Sequence, residues 1–268
     1  MSSKISPYLS VLVINFKQEI VYRAQMVLSL ILRFSSSLVL IIVWATVYYF
    51  SGTSTIHGLS LSVMTAYFFM TAALIEINTD PEIIDQFQNS VENGSIISFM
   101  IRPISFAIQL FLGVLPRDLI FLCFGTIPIL ILILALSHMI VSPLTMVIFA
   151  GQVAVAYIIV NLIGFMIGSL SMYLTNIYGI ESAVFWISDI ANGAFVPLMF
   201  YPKTITAILM LTPFPITCYV PIATIIGLIS TAAAIQALAI GFVWVLILFV
   251  LAKFTWTKVN KVINAVGV

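Results

Sequence analysis

Several apolar stretches of this chain reach or exceed the roughly 20 residues that a helix needs to cross about 30 Å of hydrocarbon. Such runs admit few environments. In lipid a segment must satisfy its own backbone groups, and a helix does so within itself. The alternation and turn spacing of an outer-membrane barrel are absent. Charge points the same way: ten Lys plus Arg and nine Asp plus Glu make up only 7% of 268 residues, while 62% are hydrophobic. A soluble domain carries roughly 25% charge, and a soluble chain this apolar could not cover itself with polar groups. The composition excludes a soluble enzyme, a disordered chain and a nucleic-acid binder. It points to an all-α integral membrane protein. Two cysteines, Cys123 and Cys218, are too few for a disulfide scaffold or a four-thiolate metal site, and both read as small buried apolar residues. Lys17, Gln18, Glu19 and Arg23 stand where the apolar core of a signal peptide would be, so no cleavable leader is expected.

Along the chain, residues 1–25 read as an amphipathic helix lying on the membrane. Ile5, Tyr8, Leu9, Leu12, Phe16 and Ile20 recur at spacings of three and four, and Glu19 and Arg23 form a favourable i, i+4 pair. Spans are expected at about 26–50, 59–77, 118–136, 143–172, 182–200 and 230–252, with a break at Pro116-Arg117-Asp118 before the third. The stretch 78–102 is the only polar one of any length. Pro81 can start a helix there and Asn93-Gly94 can end it. Residues 201–229 are apolar enough to span, but Pro202, Pro213, Pro215 and Pro221 cut them into pieces too short to cross. Basic residues decide between the readings. With six spans and the N-terminus inside, Lys4, Lys17, Arg23, Arg102, Arg117, Lys253, Lys258 and Lys261 all lie at the cytoplasmic face. A seventh crossing would put the tail lysines outside, against the positive-inside rule. Residues 201–229 therefore read as a helical hairpin dipping into the outer leaflet, both termini as cytoplasmic, and 1–268 as one membrane domain.

Three stretches carry a family resemblance. Glu92–Ser105, containing Gly94 and Arg102-Pro103, resembles a "G-x-L…L-x-R-P" segment after a second span. Gly193–Pro202, with Pro197-Leu198-Met199-Phe200-Tyr201-Pro202, is similar to "G…P-L-x-F-x-P" at the outer end of a fifth span. Pro213-Phe214 through Tyr219-Val220-Pro221 matches "P-F…Y-x-P" in an outer hairpin. Together, in this order, they resemble the permease subunit of ABC transporters of the ABC-2 type. The resemblance implies a multi-pass subunit in the inner or plasma membrane that pairs with a second permease chain, like or related. Two cytoplasmic ATPase subunits would drive it, and it would work mostly in export. The chain has no G-x-x-x-x-G-K-[S/T] loop, so no catalytic or cofactor site is expected here, and ATP with Mg would be held by the partner. The resemblance also implies that the first, second and fifth spans line the substrate path.

Within that frame, 81–94 is the expected coupling helix. Asp85, Gln86, Phe87, Gln88, Ser90 and Glu92 would face or flank the ATPase groove, with Phe87 as the apolar anchor. An ordinary solvated loop is the alternative. Arg33 and Asp189 both lie about 10 Å inside the cytoplasmic boundary of their spans. They are expected to pair across the first and fifth spans, the alternative being a snorkelling arginine and a locally bonded aspartate. Pro197, Pro202, Pro213, Pro215 and Pro221 mark the outer hairpin. Gly164 and Gly168, and the small residues Ala232–Ala234, Ala237 and Gly241, read as internal helix-packing sites. His57 and His138 are not expected to bind metal. A secondary transporter or channel not driven by ATP, and a non-transport membrane protein, remain the rivals. The former usually shows matching broken helices in repeated halves, whereas here the broken segment occurs once.

Overall fold

The computed structural model of the protein describes residues 7–21, 23–78, 82–100, 102, 104–137 and 141–265. Pro81 and His138 lie outside the described residues. The fold is all-α apart from a two-residue β-hairpin, β1 Thr55–Ile56 and β2 Leu59–Ser60, which closes the turn after α2. Gly58 supplies a positive φ of 80° in its loop.

The helices run α1 Pro7–Val21, α2 Arg23–Ser51, α3 Leu61–Asn78, α4 Ile83–Glu92, α5 Ile96–Met100, α6 Phe106–Phe121, α7 Ile127–Ser137, α8 Pro143–Gly168, α9 Tyr178–Ala191, α10 Lys203–Leu209, α11 Tyr219–Ile225 and α12 Thr231–Ala265. Among the described residues four segments are long and apolar enough to cross a membrane: Met26–Ser51, Phe106–Ala135, Pro143–Met172 and Thr231–Ile263. The described part of the protein is thus a multi-pass membrane architecture.

α8 is the central post. It starts cleanly, with the Ser142 hydroxyl accepting the Thr145 amide at 3.1 Å and Pro143 in the first turn. Gln152, Val155, Ile159, Leu162 and Phe165 are buried along its length. α12 lies along it, because Gly241 offers no side chain where one would meet Val155 Cγ1 at 2.8 Å. This is the close approach that small residues permit.

Three boundaries differ from the sequence reading. No break occurs at Pro116. α6 begins at Phe106 and runs through the proline, whose missing N–H costs one ladder bond. Packing outweighs that loss, since Phe106, Leu110, Gly113, Val114 and Pro116 form a buried face. The irregularity falls at a π-helical turn, Leu122–Thr126, where the Thr126 hydroxyl donates to the Ala73 carbonyl at 2.8 Å. The fifth helix, expected over 182–200, stops at Ala191. Asn192 and Gly193, with φ +84° at the glycine, terminate it. The last helix runs on from the expected 252 to Ala265. Cys123, read as buried, is exposed on the outer side of the π turn, while Cys218 is buried as expected.

Candidate functional site

α4 is a short amphipathic helix laid across one end of the bundle. Apolar residues at 83, 84 and 87 turn one face inward, and Asp85, Asn89 and Glu92 stand exposed on the other. Gly94, at φ +70°, closes it, its amide reaching the Val91 carbonyl at 3.1 Å. Gln88 donates to Glu92 at 2.6 Å one turn on.

Phe87 is not where its sequence assignment put it. Its side chain is 0% exposed. The ring meets Phe106 edge-on at 5.0 Å, Phe165 at 5.4 Å and Trp256 at 6.4 Å. It bolts α4 to α6, α8 and α12. The reason is amphipathicity: one apolar stripe on a ten-residue helix goes to the larger apolar surface, which the bundle already supplies. Gly168 makes the seat, since a Cβ there would lie 2.8 Å from Phe87 Cβ and 3.4 Å from Ile84 Cα. Ser90 is also buried, its hydroxyl donating to the Gln86 carbonyl at 2.6 Å, and half-buried Gln86 reaches toward Gly113. Of the six residues assigned to this surface, Asp85, Gln88 and Glu92 remain on the outward side, joined by Asn89.

Two polar joints hold the same end. Arg117 on α6 donates to Glu82, just before α4, at 3.0 Å. Glu19 of α1, which packs along α6, lies in the same field. Burial, and then the Glu82 carboxylate, push its carboxyl above the ordinary value, while the Arg117 guanidinium pulls it back. Arg102 lies over the Phe99 ring at 4.6 Å and donates to Gln109 at 3.3 Å. Buried Gln109 in turn donates to the Ile104 carbonyl at 2.7 Å and the Phe99 carbonyl at 3.1 Å, fixing the turn between α5 and α6. The role of Gln109 was missed in the sequence. One amide in an apolar helix is its only signal.

The opposite end carries the broken segment. Pro197 precedes a 3-10 turn at Leu198–Phe200, Pro202 precedes α10, and Pro213 and Pro215 bracket the start of a second 3-10 turn, Phe214–Thr217. Pro221 lies within α11, and this piece is buried against α8. Tyr67 of α3 donates to the Gly193 carbonyl at 2.7 Å, and the Tyr219 amide donates to the Asn192 carbonyl at 3.0 Å. The carbonyls freed where α9 ends are thus taken up by α3 and α11. Trp44 and His57 pack on Phe200, with ring centroids 4.8 and 5.0 Å away. Arg33 and Asp189 stand half-buried on α2 and α9. A groove of about 750 Å³ opens between α2, α3 and α7, lined by Phe34, Thr65, Ala66, Phe69 and Ile133.

The sequence profile of a family described as "ABC-2 family transporter protein" matches residues 34–266, from α2 to the end of α12. No curated protein matches the chain.

Proposed function

The chain belongs to the ABC-2 family of transporter proteins, and from that premise we propose that it is the membrane subunit of an exporter driven by separate ATPase subunits. Two such subunits would act with two permease chains, alike or related. In this reading α3 and α9 join the four long helices as spans, both termini are cytoplasmic, and residues 201–229 dip into the outer leaflet. ATP and Mg belong to the partner.

The observation that carries the proposal is α4. A remote motor needs a rigid lever on the membrane subunit. An amphipathic helix bolted through Phe87 to three other helices, with Asp85, Gln88, Asn89 and Glu92 outward, has that mechanical character. The coupling face is then the polar side of α4, not Phe87. The apolar face of α2 supports pairing with a second chain, since only 6% of its most apolar window is buried within this one. The groove between α2, α3 and α7 supports a substrate path along the first and second spans. Arg33 and Asp189 are proposed as a polar pair between α2 and α9. Their removal singly should lower the amount of folded protein more than their joint removal, whereas additive losses would show independence.

The test of the whole reading is co-purification from native membranes with a nucleotide-hydrolysing polypeptide, and ATP turnover by the reconstituted pair in lipid. A chain that transports with no such partner, driven by an ion gradient, would overturn it.

A further inference from the structure

α12 is longer than a membrane. Its 35 residues extend about 52 Å, whereas about 30 Å of hydrocarbon takes roughly 20. The first charge after Thr231 is Lys253, so Lys253 stands at the headgroups and the remainder of the helix rises past them. At 1.5 Å per residue, Lys261 stands about 12 Å above Lys253, more than the roughly 5–8 Å thickness of one headgroup layer. Free of lipid, the helix persists because it remains amphipathic. Ala252, Val259 and Ile263 are buried and Trp256 is half-buried, at spacings of four, three and four. Trp256 stacks on Phe106 at 5.3 Å and faces Phe87 at 6.4 Å, so this end of α12 and α4 share one aromatic seat. The other face carries Lys253, Lys258 and Lys261, all exposed, with the Lys258 ammonium held 4.6 Å above the Phe254 ring.

We propose that the projecting end of α12 is a second docking element for the ATPase partner, its basic outward face engaging the same protein as the acidic outward face of α4. The inference rests on the reading of α4 as the coupling helix. Charge supplies the argument. Asp85 and Glu92 make the outward face of α4 acidic, and Lys258 and Lys261 make the outward face of the projecting end of α12 basic. A partner with a basic patch for α4 and an acidic patch for α12 fits in one register only, which is what two faces of opposite charge contribute to recognition. The height of Lys261 favours a protein over lipid phosphate.

The test places a photoreactive benzoylphenylalanine at position 89 on α4, at 261 on α12, and at 54 in the turn between α2 and β1 as control, in the full-length chain in native membranes. Captured polypeptides are identified by labelling with azido-ATP. The expected result is the same nucleotide-binding polypeptide from 89 and 261 and none from 54. In the purified pair, Lys258→Glu with Lys261→Glu should weaken binding about tenfold at low salt, with the difference shrinking as salt rises. Capture of the ATPase from 89 but only lipid from 261, or an unchanged Kd in the double variant, would overturn the second docking element and leave the coupling helix standing. Capture of no nucleotide-binding polypeptide from either position would overturn both.

Discussion

Truncating Phe87 to alanine separates a lever's bolt from its working face. The ring is fully buried among Phe106, Phe165 and Trp256, with two edge-on partners at 5.0 and 5.4 Å. Removing a buried phenylalanine costs about 3–5 kcal/mol through lost transfer energy and the cavity left behind. The aromatic pairs alone account for about 0.5–1.5 kcal/mol each. Gly168, beside Phe87 Cβ, has no side chain with which to fill the gap. Phe87→Ala should therefore lower the thermal midpoint of the purified chain in detergent, measured by intrinsic fluorescence with no ATPase present. Asn89→Lys, on the exposed face, should move that midpoint little, because surface substitutions stay within about 0.5 kcal/mol, yet it should weaken ATPase binding. An unchanged midpoint in Phe87→Ala together with lost ATPase binding would refute the argument and restore Phe87 as a partner's anchor.

Gly168→Ala should loosen α4 as Phe87→Ala does, because the new Cβ meets Phe87 Cβ at 2.8 Å, whereas Gly113→Ala should be tolerated, because it meets only the movable end of Gln86 at 2.7 Å; hydrogen exchange of α4 amides reads both. Tyr67→Phe should cost about 1–3 kcal/mol by leaving the buried Gly193 carbonyl unpaired, seen as a lower unfolding midpoint, and an unchanged midpoint would show another donor at that carbonyl. The raised Glu19 carboxyl titrates above its ordinary value, so its contribution to seating α1 on α6 is complete below that value and lost as pH rises through the folded pKa. Protease release of α1 should increase across that window in the native chain and not in Glu19→Gln.

How much of this was legible beforehand follows the physics of each segment. Long apolar runs bounded by polar loops showed α2, α8 and most of α12, because burial in lipid depends on composition alone. The amphipathic period of residues 83–92 was legible too, but not which side its apolar stripe would serve. Facing a partner and facing the bundle produce the same pattern, and only the aromatic seat of Phe106, Phe165 and Trp256, gathered from three distant helices, decides between them. Pro116 misled for a related reason: its local cost is real, while the buried face that outweighs it is tertiary. The early stop of α9 had its signal in Asn192-Gly193, but an apolar run continuing to Phe200 hid it. The extra turns of α12 beyond Ala252 were hidden by the lysines, since a charge that ends a membrane run does not end a helix.

The distribution of burial divides the molecule mechanically. Of the most apolar window of α8, 67% is buried, against 6% for that of α2. α4 is seated on α8 through Gly168, α12 lies against it through Gly241, and Ile216 of the hairpin packs at that same glycine. One continuous body therefore runs from the lever to the broken segment at the other end. Side chains in contact thus join α4, α8, α12 and Ile216 without an intervening loop. α9 attaches differently: its chain breaks at Asn192-Gly193, and its exposed face shows Trp186, Ile187 and Ile190. The Tyr67 and Tyr219 bonds join α3 and α11 to the turn where α9 ends. Spatial continuity of this kind is not itself coupling. It does distinguish the closely packed α4–α8–α12 body from the turn after Ala191, where hydrogen bonds from Tyr67 and Tyr219 hold the end of α9.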